Sequence, residues 1–185
     1  MNIAVTSKEA ILSECRKLVM EQGLSSVNMR NVANLCGVAV GSIYNYFPSK
    51  SALISAAVED VWRDIFHMAE KPLEFVHFTD CLEWLFDSVK KGCEKYPGFF
   101  TFHSMSFAAH DKSDGRKLME QYFCHMKKSL LEVLMNDSRV RSNAFDEKLN
   151  AEEFVDIIFT MITSMLLEGR EDCSMILEIV ARCIY

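Results

Sequence analysis

The sequence predicts an all-α protein in which a small N-terminal three-helix domain is followed by a larger C-terminal helical bundle. Three observations lead to this fold class. The 185 residues include only three prolines and seven glycines, the residues that most often interrupt helices. Apolar residues recur at helical spacing over long stretches of the chain. Alternation of the kind that half-buried strands show is scarce.

The first helix is predicted to begin at a capping box, in which Thr6 is the N-cap and Glu9 reaches back to it. Gly23 is predicted to end the helix, since glycine tolerates the backbone conformation that follows a helix C-terminus. The spacing of the apolar residues between these limits places them on one buried face: Ile11, Leu12, Cys15, Leu18 and Val19.

Two short helices and one long helix should follow. Asn28 is predicted to cap a second helix over Met29–Cys36. A third helix is predicted from about residue 40 to 47, where Pro48 stops it. Ser49 is predicted to cap a fourth helix that extends to about residue 69.

The remaining chain continues the helical pattern, with breaks at polar or Pro-Gly segments. We predict a domain boundary at residue 50, with a three-helix domain over 1–50 and a larger domain over 51–185. The further helices are expected at about 79–96, 99–109, 113–136, 151–168 and 172–185.

The charge is distributed unevenly between these parts. Residues 1–50 carry five basic and three acidic side chains, whereas the remainder carries 15 basic and 23 acidic ones, for a net charge of −6 overall. A slightly basic head on an acidic body fits a protein that presents only its head to phosphate groups.

The second and third helices have the residues that a helix-turn-helix needs. Ala33 is small enough for the next helix to cross close to it. Gly37 can adopt the positive φ of a tight turn. Ile43, together with Val38, is placed to fill the angle between the helices.

The segment that follows makes the pattern more specific. Residues 41–50 read GSIYNYFPSK, and they follow RNVA at 30–33 and the Gly37-Val38 turn. Together these residues resemble the signature of the TetR family of bacterial transcriptional regulators, over about residues 10–58. One departure is Ala39, because the family usually has a hydroxyl residue at the N-cap of the third helix.

The resemblance implies that the third helix enters the major groove of DNA. The chemistry of the residues fits this role. Tyrosine, lysine and arginine can contact phosphate, serine and asparagine can meet base edges, and small residues allow close approach. We favour Tyr46 over Tyr44 as a DNA contact. The predicted DNA-binding residues are Asn28, Arg30, Val40, Gly41, Ser42, Tyr44, Asn45, Tyr46 and Lys50.

The larger domain concentrates aromatic residues and methionines, which can either fill a core or line an apolar ligand cavity. We predict a small, mostly apolar effector, and the predicted lining residues are Phe99, Phe102, His103, Phe107, Tyr122 and Phe123. The helices predicted at 151–168 and 172–185 are apolar on most sides and so favour a homodimeric four-helix bundle. Its predicted interface residues are Phe154, Ile158, Met161, Met165, Ile176 and Val180.

These patterns predict a ligand-responsive regulator, most simply a repressor that its effector releases from a palindromic operator. Alternatives are a regulator switched by a protein partner, a helical interaction module, or a regulator switched by oxidation of Cys81, Cys93 or Cys124. Enzyme motifs, metal-ligand spacing, a secretory signal and membrane-spanning stretches are not evident. We therefore expect a cytoplasmic non-enzyme without metal or other cofactor, whose cysteines are reduced.

Overall fold

A computed structural model describes residues 6–66, 75–97, 99 and 114–185, with only the backbone described at 114–119. The described residues form eight α-helices and no strands, which confirms the predicted all-α class. The helices are α1 Lys8–Gln22, α2 Met29–Leu35, α3 Val40–Tyr44, α4 Lys50–Ile65, α5 Phe78–Lys95, α6 Asp114–Asn136, α7 Ala151–Leu167 and α8 Ser174–Ile184.

The helix starts follow the capping residues of the sequence, with one shift. The Asn28 side chain accepts hydrogen bonds from the backbone N–H groups of residues 30 and 31, and Ser49 accepts one from residue 52, as predicted for N-caps. The predicted cap at Thr6 is wrong by one residue. Ser7 is the cap, because its hydroxyl accepts the N–H of Ala10.

Two helix ends also differ from the prediction. α3 stops at Tyr44 rather than continuing to residue 47, because the N–H groups of Tyr46 and Phe47 both bond to the carbonyl of Ile43 and close a turn there. α4 ends at Ile65 rather than near residue 69. Most of the helix expected at 99–109 lies outside the described residues.

The turn between α2 and α3 has the predicted geometry. Gly37 has a φ of 65°, and the N–H of Val38 bonds to the carbonyl of Ala33 at 3.0 Å. Ala33 and Ile43 are fully buried, so the two helices meet through the residues singled out by their spacing. Ala39 provides no side-chain cap for α3, which is consistent with the departure noted in the sequence.

The chain divides into two compact units, 1–70 with 92–119 and 71–91 with 120–185. This division differs from the predicted boundary at residue 50, since the first unit contains all of α4. A physical reason is that α4 packs against α1, where Arg16 Nε lies 3.0 Å from Asp60 Oδ2. α5 contributes residues 78–91 to the second unit and its last turn to the first.

The last turn of α5 approaches α4 closely within the first unit. A Cβ added at Gly92 would lie 2.7 Å from Cγ1 of Ile65, a distance that real Cβ atoms essentially never show. Nearby, the ring centroids of Trp62 and Phe99 are 5.5 Å apart, and those of Tyr96 and Phe99 are 6.3 Å apart. The side chains of Trp62, Ile65, Tyr96 and Phe99 are all buried.

The second unit has its own apolar core and one buried carboxylate. Phe78 of α5 packs against Phe154 of α7, with ring centroids 6.4 Å apart. Asp137, directly after α6, is buried and accepts the N–H of Phe78 at 2.8 Å. The hydroxyl of Tyr185 also donates to Asp137, so this carboxylate connects the start of α5 with the residue after α8.

Within the described part of the chain, no helix is both long enough and apolar enough to cross a membrane.

Candidate nucleic-acid interface

The candidate interface is the outer surface of the helix-turn-helix. The inward face of these helices is fixed in the core by Ile43 and Phe47. Their outward residues are accessible to a partner. The exposed members of the predicted set are Arg30, Val40, Gly41, Tyr44, Asn45, Tyr46 and Lys50, and Ser42 is half-buried.

The sequence predicts two roles for Asn28, as the N-cap of α2 and as a DNA contact. The structure shows the capping role. Its carboxamide oxygen accepts the N–H groups of Arg30 and Asn31 at 3.1 and 2.9 Å. Its nitrogen donates to the carbonyl of Ser26 at 3.1 Å. The side chain therefore holds the start of α2, and its direct contact with DNA stays a prediction.

The two tyrosines of the motif differ in their hydrogen bonding. The hydroxyl of Tyr46 donates to the backbone carbonyl of Thr6, ahead of α1, so this donor is already used within the protein. Tyr44 is 50% exposed. Among the described residues its hydroxyl has no hydrogen-bond partner. Of the two tyrosines, Tyr44 therefore has the hydroxyl that is available to an outside acceptor, whereas the sequence favoured Tyr46, and which of them contacts DNA stays a prediction.

Lys50 lies at the N-terminus of α4, where free backbone N–H groups and the helix dipole favour an anion. Ser49 satisfies the N–H of Ala52 at 3.0 Å. Lys50 is exposed, and Val40 and Gly41 leave little side-chain bulk at the start of α3. The site thus combines a helix, α3, whose small side chains allow close approach to a groove, with the cationic side chain of Lys50 near it.

A cavity of about 340 Å³ opens on another part of the same unit, between α1 and α4. Its lining is largely charged and already paired, since Arg16 pairs with Asp60 and Arg63 pairs with Glu59. Such a cavity does not fit the apolar effector predicted from sequence.

Comparison with known proteins agrees with the helix-turn-helix geometry. Residues 7–57 match the family described as bacterial regulatory proteins, tetR family. The N-terminal residues 7–57 therefore carry the TetR-family helix-turn-helix.

A curated relative is the HTH-type transcriptional regulator UidR of Escherichia coli K12, which is 33% identical to this chain over 78 residues. The aligned segment spans 42% of this chain and 39% of UidR. The similarity is therefore confined to less than half of each protein.

Solved structures of transcriptional regulators and of a DNA-bound protein share the fold at low sequence identity. A tetR-family transcriptional regulator from Streptomyces coelicolor has a TM-score of 0.64 and 15% identity, covering 97% of this chain and 78% of that one. BioQ, solved with its natural double-stranded DNA operator, has a TM-score of 0.59 and 12% identity, covering 89% and 86%. These likenesses extend the family's fold beyond the matched N-terminal residues.

The structure brings only part of the predicted effector site into view. Phe102, His103 and Phe107 lie outside the described residues. Phe99 is buried against Trp62 in the first unit, whereas Tyr122 and Phe123 belong to the second, where Phe123 packs on Phe159 at 5.2 Å. The effector site remains a prediction.

The predicted dimer residues require a correction. Phe154, Ile158, Ile176 and Val180 are buried within their own protomer, so they cannot form an exposed face, whereas Met161 and Met165 are half-buried. The exposed large apolar residues of these helices are others: Ile157, Leu167, Met175 and Ile179. The sequence holds no clear signal that separates the two sets, because exposed and buried apolar residues such as Ile157 and Ile158 are adjacent on helices that are apolar on most sides.

Two of the three cysteines considered for oxidation are unsuited to it. Burial raises the pKa of Cys81 to about 12 and that of Cys93 to about 11, which keeps both thiols protonated at neutral pH. Cys124 is exposed. Among the described residues, no cluster of histidine, cysteine and carboxylate side chains could hold a metal ion.

Proposed function

We propose that this chain is a TetR-family transcriptional regulator that binds a palindromic DNA operator as a homodimer. The observation that carries the proposal is the exposed face of α3, which has small residues at its start, Tyr44 at its end and Lys50 beside it. A catalytic site would not require a helix with small exposed side chains beside a lysine, and neither would a protein-binding groove.

In this proposal α3 enters the major groove. Val40 and Gly41 allow the helix to approach the bases, and Ser42 and Asn45 hydrogen-bond to base edges. Arg30, Tyr44 and Lys50 bind phosphates and so fix the position of the helix without reading sequence.

A palindrome requires a second copy of the chain. Two α3 helices must reach half-sites separated by about 34–36 Å, one turn of DNA. The exposed apolar residues Ile157, Met175 and Ile179 support α7 and α8 as the dimer interface, because an isolated protomer would leave them in water.

Control by a small, mostly apolar effector is the further part of this proposal, with repression relieved when the effector binds. It is supported by the concentration of aromatic residues after residue 50, where 12 of the 13 phenylalanines lie. An effector that prefers the DNA-free arrangement by about 1–3 kcal/mol would weaken DNA binding roughly 5–150-fold.

Lys50→Ala is expected to weaken binding to every DNA sequence and to flatten its salt dependence. Each lost phosphate contact removes roughly one unit of slope in a plot of log affinity against log salt concentration, hence about two units for a dimer. Tyr44→Phe should lower affinity and leave the slope unchanged, because the phenol is neutral. Titrations of an operator selected from genomic fragments measure both effects.

Lys148→Ala is the matched control, because this lysine is also exposed but belongs to the second unit. An unchanged slope for Lys50→Ala, or an equal change in the control, would show that the head contacts DNA elsewhere.

Effector control is tested by reciprocity. A compound that lowers operator affinity by some factor must itself bind more weakly by the same factor when operator is present. Calorimetry of the compound with and without operator measures this. If the compound bound with the same affinity in the presence and absence of operator, the proposed effector control would be contradicted. The proposal that the chain binds DNA would be unaffected.

A further inference from the structure

The carboxylate of Asp64 on α4 connects two parts of the first unit. Its Oδ1 lies 3.5 Å from the guanidinium of Arg16 on α1. Its Oδ2 accepts hydrogen bonds from Lys95 Nζ at 2.6 Å and from Tyr96 Oη at 2.8 Å. One oxygen thus faces the helix-turn-helix domain, and the other faces the end of α5.

The surroundings of this carboxylate make the contact well defined. Tyr96 is buried and packs on Phe99, so its hydroxyl has a fixed position. Gly92 lets α5 approach Ile65 more closely than any other residue would allow. Burial raises the pKa of Asp64, but the bonds from Lys95 and Tyr96 outweigh it and hold the pKa below its ordinary value.

The geometry points to Asp64 as the positioning residue that fixes the helix-turn-helix against the last turn of α5. This inference rests on the proposed function. α5 is one continuous helix whose residues 78–91 belong to the second unit, so the contact between Asp64 and Lys95 connects the head to a helix that continues into that unit. A dimer whose two heads are each held in one orientation binds only those operators whose half-sites have one separation.

The test uses the full chain and a set of operator duplexes. The wild-type protein first selects an operator from genomic fragments, and one base pair is then inserted or removed between its half-sites. We expect the wild type to lose about 10-fold in affinity for each altered spacing, and Asp64→Asn to lose less than about threefold. Binding to a single half-site should stay within about twofold for Asp64→Asn, since α3 is untouched.

Glu59→Gln is the matched control, because the ion pair of Glu59 with Arg63 lies within α4 and exposes both partners. This variant should keep the spacing preference of the wild type. An Asp64→Asn protein that keeps the preference, or that loses equal affinity on the single half-site, would overturn the inference.

A second measurement needs no DNA. Arg16→Gln and Tyr96→Phe each remove one partner of the Asp64 carboxylate. Their shifts in thermal midpoint should be non-additive when the two substitutions are combined in a protein that retains Asp64. The shifts should be additive when they are combined in the Asp64→Asn protein. Additive shifts in both backgrounds would overturn the inference. Should Asp64→Asn fail to fold, Tyr96→Phe must show the reduced spacing preference. A wild type that selects no DNA would contradict the proposed function alone, and these shifts would still decide the role of Asp64.

Discussion

Ile157→Glu is expected to convert the proposed dimer into a folded monomer. Ile157 is 53% exposed in the protomer, so a carboxylate there meets water in the monomer and can be accommodated. In a dimer formed through α7 the same carboxylate would be buried and unpaired, which costs several kcal/mol. Sedimentation measures the association state, and circular dichroism the helix content.

Ile158→Glu is the matched comparison, one residue further along the same helix. Ile158 is buried within its own protomer, so the charge should destabilise the fold itself rather than the association. Were Ile158→Glu to give a folded monomer and Ile157→Glu an intact dimer, the interface would lie on the face first predicted from sequence.

Asp137→Ala is expected to lower the free energy of unfolding by about 3–5 kcal/mol, as the loss of one partner from a buried charged network does. The substitution leaves the N–H of Phe78 and the hydroxyl of Tyr185 without the acceptor that they share. Urea unfolding measures the change. Asp146→Ala is the control, because Asp146 accepts two backbone N–H groups in an exposed loop and should cost about 1 kcal/mol or less.

Asp137 should also make the stability depend on acid pH. The hydrogen bonds from Tyr185, Phe78 and Arg139 outweigh burial and hold the pKa of this carboxyl far below its ordinary value. A depressed pKa contributes stability that is complete above the unfolded value, about 4, and is lost as the pH falls below it. Between about pH 5 and about pH 2, the free energy of unfolding should fall less for Asp137→Asn than for the wild type. Equal losses would show that other carboxylates dominate.

The helix-turn-helix could be predicted from sequence because its determinants are local. Asn28, Gly37 and Ser49 act within three residues of themselves, and the structure confirms each of them. The errors there are small. Thr6 and Ser7 carry the same hydroxyl chemistry, so sequence could not choose between them as the cap.

The sequence prediction placed dimer residues of α7 partly on a stripe that is buried within the protomer, because this helix is apolar on most sides. Ile157 and Ile158 are adjacent and chemically identical, and only the packing of the protomer separates an exposed side chain from a buried one. Asp137 and Asp64 escaped prediction for a related reason. Their partners Phe78 and Tyr96 lie 59 and 32 residues away, beyond any helical period.

The close approach at Gly92 limits how this protein can evolve. Because the Ile65 side chain fills the space that a Cβ at position 92 would need, any substitution at that position requires the Ile65 side chain to shift. A smaller residue at position 65 would first have to open room, at the cost of a cavity. The residues at positions 65 and 92 are therefore expected to depend on each other in descendants of this chain, since together they set how closely α4 and α5 approach at this point.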